Sequence, residues 1–312
     1  MSTSLALIAT TFPLITLDEI TSEGGLQLFE QICVKLKADG YFGLDISVQQ
    51  ILALGKKNFA DILQRTGLKF IAKCYSSGGG CPTGIQACIS NASITHPPQG
   101  RSVTDHIAVF GAQVTEIASC DDLKPYLITV SGQSGRDYFT DAEVDMYIQA
   151  ATNLSKEYGI TIQHETHRHR ILFNPWTARD TVKRRPDLNI LADLSHYCVV
   201  CETQCDDIDL NEAIDVLIPR VTHIHARVGY AEGPQVSDIT DTIRWKKEID
   251  GHVIWWKKAM KSMRNRGIPL VTVTPEFLPF PYAHSSSTKA NVAEFNAFIA
   301  DIVRVAWKES FE

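Results

Sequence analysis

The chain has 312 residues, 44% of them hydrophobic and 21% charged, and a formal net charge of -6. That acidic balance excludes the clustered Lys and Arg face of a nucleic-acid-binding protein, since the densest basic stretch, 183–185, reads as a solvated helix end. Eight scattered cysteines and no secretion signal predict reduced thiols in a cytoplasmic enzyme, and the first apolar run, 5–9, is too short to span a membrane.

Strand-like and helix-like segments alternate along the whole chain. Residues 5–10 read as a first strand. A helix follows over 25–38, where Leu28, Phe29, Ile32, Cys33 and Leu36 keep the i, i+3, i+4, i+7 spacing of an amphipathic face. A strand at 41–46 precedes a helix predicted over 48–66. Strand three, 68–74, runs into a Gly/Ser/Pro-rich stretch at 76–101. Residues 102–119 read as helix, 126–131 as strand four and 141–158 as helix. Four further strands end at Glu165, Asp193, His225 and Glu276, separated by helical segments at 175–185, 210–217 and 255–266. The last helix, 292–307, carries the apolar stripe Val292, Phe295, Ile299, Ile302 and Ala306.

Alternating strands and helices imply a parallel sheet. The turn after the first strand, Thr10-Thr11-Phe12-Pro13-Leu14, lacks the glycine fingerprint of an open doubly wound sheet. Eight repeats in about 300 residues therefore predict a closed (β/α)8 TIM barrel, one domain over 1–312. Two loops, 76–101 and 229–251, are too long for mere connection. Each reads either as a segment covering substrate or as one that packs in an oligomer.

The last four strands carry the chemistry. Their closing residues share parity with polar or small positions: Thr161, Gln163 and Glu165; Asn189, Leu191 and Asp193; His223 and His225; Thr272, Thr274 and Glu276. The other parity, with Ile162, Ile190, Ile224, Val271 and Val273, is apolar. Strand side chains alternate between faces, so helices cover the apolar side and the closing residues meet at the C-terminal mouth. Singly, each carboxylate reads as readily as a helix cap or a salt-bridge partner. Jointly, three carboxylates and an imidazole would repel one another without a cation. One divalent metal ion held by Glu165, Asp193, His225 and Glu276 is therefore expected. This donor set suits Mn²⁺, Mg²⁺, Co²⁺ or Zn²⁺ alike.

These residues resemble the xylose isomerase-like TIM barrels (AP endonuclease family 2), a superfamily of sugar phosphate isomerases and epimerases, over nearly the whole chain. Asp193-Leu194-Ser195-His196 is similar to the family's D-x-x-H turn after strand six. His225 stands where the family places a His or Gln, and Glu165 and Glu276 match its strand-five and strand-eight glutamates. The resemblance implies that Asp193 binds metal and that His196 reaches substrate. It also implies, as in the ketose 3-epimerase branch, that Glu165 and Glu276 handle a proton on opposite faces of the substrate carbon.

Such a site suits sugars. A metal-bound carbonyl and hydroxyl acidify the neighbouring C–H, and the enediolate that forms is stabilised by the metal. One glutamate removes the proton and the other returns it. That is an isomerase/epimerase acting on a sugar or sugar phosphate. Loss of a β-hydroxyl instead gives the alternative, a metal-dependent dehydratase or lyase on a keto-sugar, keto-inositol or dehydroshikimate-like substrate. The ligand set does not separate the two.

Other candidates are each open to two readings. Arg227, two residues past His225 on the same parity, faces either substrate or a ligand carboxylate. Lys73 reads as a substrate contact or as the ion-pair partner of Asp45. His167 and Gln235 are further candidate substrate contacts, and His223 lies one layer deeper. The aromatic and proline-rich run 275–282 reads as an apolar wall or a subunit contact. Cys198, Cys201 and Cys205 read as thiols packed on one helix face rather than a metal cluster.

An abasic-site endonuclease would resemble the same family. It needs further histidines where strands three and four end in Lys73 and Ser131, which argues against it. A non-catalytic sugar-binding barrel is the reading from another class. Position 231 is alanine where ketose epimerases carry a substrate arginine, so specificity for free ketoses stays open. The expected partner is a small carbohydrate, with no nucleic acid or membrane partner, and barrels of this kind commonly form homodimers.

Overall fold

The computed structural model describes residues 3–76, 102–283 and 288–311. In chain order the elements are β1 (Ser4–Thr10), α1 (Leu17–Thr21), α2 (Gly25–Ala38), β2 (Gly43–Ser47), α3 (Val48–Leu54), α4 (Lys56–Thr66) and β3 (Lys69–Tyr75). Then come α5 (Val103–Ala118), β4 (Leu127–Gln133), α6 (Asp141–Tyr158), β5 (Ile162–Glu165), α7 (Pro175–Arg184), β6 (Ile190–Ala192) and α8 (Ser195–Val200). The chain finishes with α9 (Ile208–Leu217), β7 (Val221–Ala226), α10 (Lys246–Asn265), β8 (Leu270–Pro275) and α11 (Lys289–Glu309). The strands follow one another in order from β1 to β8 and close into a parallel barrel. This is the (β/α)8 architecture that the alternation predicts. No helix among the described residues is long and apolar enough to cross a membrane.

By contact density the chain divides into two compact units, residues 1–14 with 166–312 and residues 15–165. In the unit 15–165, capping boxes set several of the helix starts. Ser47 pairs reciprocally with Gln50 at α3, and Thr140 with Glu143 at α6, each satisfying two amide donors that a helix end leaves open. The predicted helix 48–66 is instead two helices. Gly55 takes φ +82°, a left-handed value that side-chain-bearing residues rarely adopt, and it ends α3 and starts α4. Phe29, Phe59 and Phe70 then pack in series, with ring centroids 5.9 and 5.2 Å apart. Nearly all of the predicted loop 76–101 lies outside the described residues.

In the unit 1–14 with 166–312, β6, β7, β8 and β1 pair in that order. The β7–β8 register sets His223 against Thr272 and His225 against Thr274, as matched parity requires. His223 fills the layer beneath His225, its Nδ1 2.8 Å from Thr272 Oγ1 and its Nε2 3.0 Å from Thr274 Oγ1. Ile224, Val271 and Val273 on the other parity are fully buried.

Helix α10 begins at Lys246, nine residues before the predicted start at 255, so the connection after β7 is shorter than 229–251. Its first turns are mostly polar, with Lys246 paired to Asp250, and their buried face is made by Ile249 and His252. An apolar-period reading registers only the later Trp255, Trp256, Met260 and Met263.

Candidate metal centre

Each ligand candidate of this unit stands at or just beyond a strand end. Asp193 follows β6, His225 is the penultimate residue of β7, and Glu276 follows β8. All three are buried, and one donor atom from each lies within 4.8 Å of the others. His225 Nδ1 is 2.8 Å from Glu276 Oε2.

Local backbone and side-chain bonds fix these positions. Asp193 N–H donates to Thr166 Oγ1 at 2.8 Å, and Glu276 N–H donates to the Ala226 carbonyl. Past Glu276, the Asn296 amide on α11 clasps Phe277 at both ends, accepting its N–H at 2.7 Å and donating to its carbonyl at 2.9 Å. Sequence gave no signal for Asn296, which lies twenty residues downstream of Glu276 on a helix read only for its apolar stripe.

Arg227 is the centre's own cation and is 1% exposed. Its Nη2 donates to Asp193 Oδ2, lies 3.6 Å from Glu276 Oε2, and donates to His196 Nε2 at 2.8 Å. Its Nε donates to Ser195 Oγ at 3.2 Å, and Ser195 in turn donates to Asp193 Oδ1 at 2.5 Å. Of the two readings for Arg227, the carboxylate pairing is the one realised. The guanidinium also lies over the ring of Tyr282, 4.9 Å from its centroid. Ser195 and Tyr282 are parts of this arrangement that sequence reading did not single out, although Ser195 sits inside the D-x-x-H turn.

His196 lies in the first turn of α8 and is fully buried. Because Arg227 donates to its Nε2, the neutral ring carries its proton on Nδ1. That atom has no hydrogen-bond partner among the described residues. Burial, then the charges of His167, Arg227 and Arg168, hold its pKa well below the usual histidine value, with Glu276 opposing. His196 is thus a neutral donor with one open N–H. The His167 ring lies against it at 3.9 Å between centroids, and His167 Nδ1 is 2.6 Å from the Arg168 carbonyl.

The remaining sequence candidates are placed as follows. Glu165 is buried at the end of β5, one peptide bond before Thr166. Lys73 is buried 3.1 Å from Asp45 Oδ2, so it takes the ion-pair reading. The Gln235 amide donates to the Leu278 carbonyl at 3.0 Å and accepts the Leu278 N–H at 2.9 Å, clamping that backbone from across the sequence. In the run 275–282, Phe277 packs inward on Phe295 while Phe280 is exposed.

The donor chemistry fits a divalent ion. At metal–ligand distances of about 2.1 Å, donors on one ion lie about 3 to 4.3 Å apart, close to the observed spacing. Each carboxylate oxygen has two lone pairs, so Asp193 can keep Ser195 and Arg227 while it ligates. Two carboxylates and one imidazole are a hard-to-borderline set, matching Mg²⁺, Mn²⁺, Co²⁺ or Zn²⁺.

Comparison of the whole structure with solved structures finds the same architecture repeatedly. A D-psicose 3-epimerase in the presence of D-fructose aligns over 97% of this chain and 99% of its own, with TM-score 0.57 and 12% identity. A xylose isomerase-like TIM barrel protein from Mycobacterium smegmatis in complex with magnesium aligns over 98% and 100%, with TM-score 0.57 and 12% identity. The fold is that of the xylose isomerase-like TIM barrels. A probable 3-DHS dehydratase from Bacillus anthracis shares it, at TM-score 0.53 and 10% identity over 95% and 99% of the two chains. No protein-family model and no curated protein matches the sequence.

Proposed function

We propose that this chain is a divalent-metal-dependent isomerase or epimerase that moves a proton beside the carbonyl of a sugar or sugar phosphate. The observation that carries the reading is the buried convergence of Asp193, His225 and Glu276 at successive strand ends, beside a neutral His196 with an open Nδ1–H. Structural neighbours of the same fold that act on sugars support it. Glu165 completes the ligand set in this proposal, on the strength of its burial at a strand end and its covalent link to Thr166, which holds Asp193.

A bound divalent ion would supply Lewis acidity, polarising a substrate carbonyl and its neighbouring hydroxyl. The chain's own residues do the rest. Glu276 takes the proton from the carbon and Glu165 delivers one from the other face. His196 donates Nδ1–H to a substrate oxygen, and Arg227 holds Asp193 and His196 in place. The 1–312 chain acts as one catalytic domain in this reading.

The same His196 N–H could protonate a departing β-hydroxyl, which is the observation favouring a dehydratase as the second reading. Proton–deuterium exchange by NMR, over a panel of sugars, keto-sugars and sugar phosphates with Mn²⁺, tests both. Exchange at carbon without loss of water selects the isomerase, and exchange with elimination selects the dehydratase. Absence of exchange across the panel would overturn both.

A further inference from the structure

A second buried cluster stands apart from the residues just described. Cys198 on α8 and Cys205 in the following loop place their Sγ atoms 3.9 Å apart, and His252 Nδ1 on α10 lies 3.3 Å from Cys205 Sγ. All three residues are buried. The expectation of three thiols on one helix face fails here, because α8 stops at Val200. Cys201 becomes its C-terminal cap, and the chain turns back to bring Cys205 to Cys198.

The packing around the pair is closely fitted. A β-carbon on Gly251 would lie 2.2 Å from Cys205 Cβ, so α10 reaches the Cys205 loop only because this position is glycine.

The tautomer of His252 decides between a metal and a redox reading. Gly229 N–H donates to His252 Nε2 at 3.2 Å, so the neutral ring carries its proton on Nδ1. That proton is aimed at the Glu248 carbonyl, 2.8 Å away, and at Cys205 Sγ. Neither ring nitrogen therefore offers a lone pair to an ion among the three groups. What remains is a pair of sulfurs with a fixed N–H donor on one of them.

We propose that Cys198 and Cys205 are a peroxide-sensitive dithiol, with Cys205 the attacking sulfur and Cys198 the resolving one. The Cys205 thiolate, its charge met by His252 Nδ1–H, attacks one oxygen of hydrogen peroxide. The O–O bond breaks, giving Cys205 sulfenic acid and hydroxide. The Cys198 thiol then displaces the sulfenic oxygen: the S–S bond forms, and the Cys198 proton leaves with that oxygen as water. The proton that Cys205 gave up on ionising neutralises the hydroxide, so the sum is two thiols and one peroxide to one disulfide and two waters. Peroxide is small enough to reach a residue that is 8% exposed. The hydrogen bond to Cys205, then burial, push the Cys198 thiol well above its ordinary value, with His252 opposing. Cys198 therefore brings its proton to the condensation, where that proton passes to the departing oxygen. Forming the bond closes the two sulfurs from 3.9 Å to about 2.05 Å.

The test is peptide mapping by mass spectrometry of the full chain after stoichiometric peroxide, alkylation and digestion. The expected result is a Cys198–Cys205 cross-linked peptide, lighter by two hydrogens, forming ahead of any oxidation of the more accessible Cys120 and Cys201. In Cys198→Ser, a dimedone adduct should appear on Cys205. In Cys205→Ser, Cys198 should give none. Oxidation of Cys120 or Cys201 while both Cys198 and Cys205 remain alkylatable would overturn the proposal. So would stoichiometric zinc, found by elemental analysis, that is released when either cysteine is replaced. The wild-type map decides even if a variant fails to fold.

Discussion

The carboxylate centre and the sulfur pair lie five residues apart in sequence, at Asp193 and Cys198, and both bring buried donor atoms within 4.8 Å of one another. Their surroundings differ in charge. Asp193 and Glu276 face a buried guanidinium, because an ionised carboxylate out of water needs a countercharge. Cys198 and Cys205 face a neutral imidazole whose proton is fixed by a backbone N–H, because a thiol can be buried uncharged. Proximity of ligand atoms is common to both clusters, and only the first makes an electrostatic demand that a divalent ion would meet. Distance alone therefore does not identify a metal site.

The sharpest way to break that contrast is at Glu276. Glu276→Gln keeps the shape and removes the charge and the base. It should lower carbon-proton exchange by about 10³-fold, read by NMR, since general-base catalysis contributes roughly 10²–10⁴. Chelation with EDTA should stop the exchange and leave the sulfur pair's oxidation rate unchanged.

Next in size is Arg227→Met, which leaves Asp193 buried without its cation. In metal-free protein this should cost about 3 kcal/mol by urea denaturation. The cost should shrink with saturating Mn²⁺, because the ion takes over the countercharge. An unchanged cost with Mn²⁺ would separate Arg227 from the metal centre.

Gly251→Ala should destabilise the fold by about 1–3 kcal/mol in the same assay, because the new methyl meets Cys205 Cβ. Alanine's better helix propensity, about 1 kcal/mol, offsets only part of this.

The smallest effect uses an isolated sulfur as reference. Burial pushes the Cys33 thiol up to about 12, with Glu30 adding to the rise. At pH 8 it stays protonated, so native Cys33 should resist both iodoacetamide and peroxide and react only on unfolding. Labelling of Cys33 in native protein at the rate of a free thiol would contradict the packing of α2.

The parity of the last four strands was readable because a strand's period of two needs only local sequence, and a residue that closes a strand on the interior parity has one direction to face. Asp193, His225 and Glu276 were legible on that ground. Gly55 was a signal passed over: the helix was expected to run through it over 48–66, and its positive φ split the helix. The start of α10 was hidden because its first turns are mostly polar.

Arg227 shows where such reading stops. Its parity gave its direction, but whether it met substrate or Asp193 depended on the reach of α8 and the hydroxyl of Ser195. The roles of Gln235 and Asn296 as backbone clamps depend on loops 43 and 19 residues away in sequence.

Strand and helix periodicity, the number of repeats and the identity of the strand-end donors were determined by the sequence, because each is set by residues a few positions apart. The partner of Arg227, the tautomers of His196 and His252 and the meeting of Cys198 with Cys205 were decided by tertiary structure. Each is a competition among donors and acceptors from distant segments, and its outcome is set only when the folded backbone brings one of them within hydrogen-bonding distance.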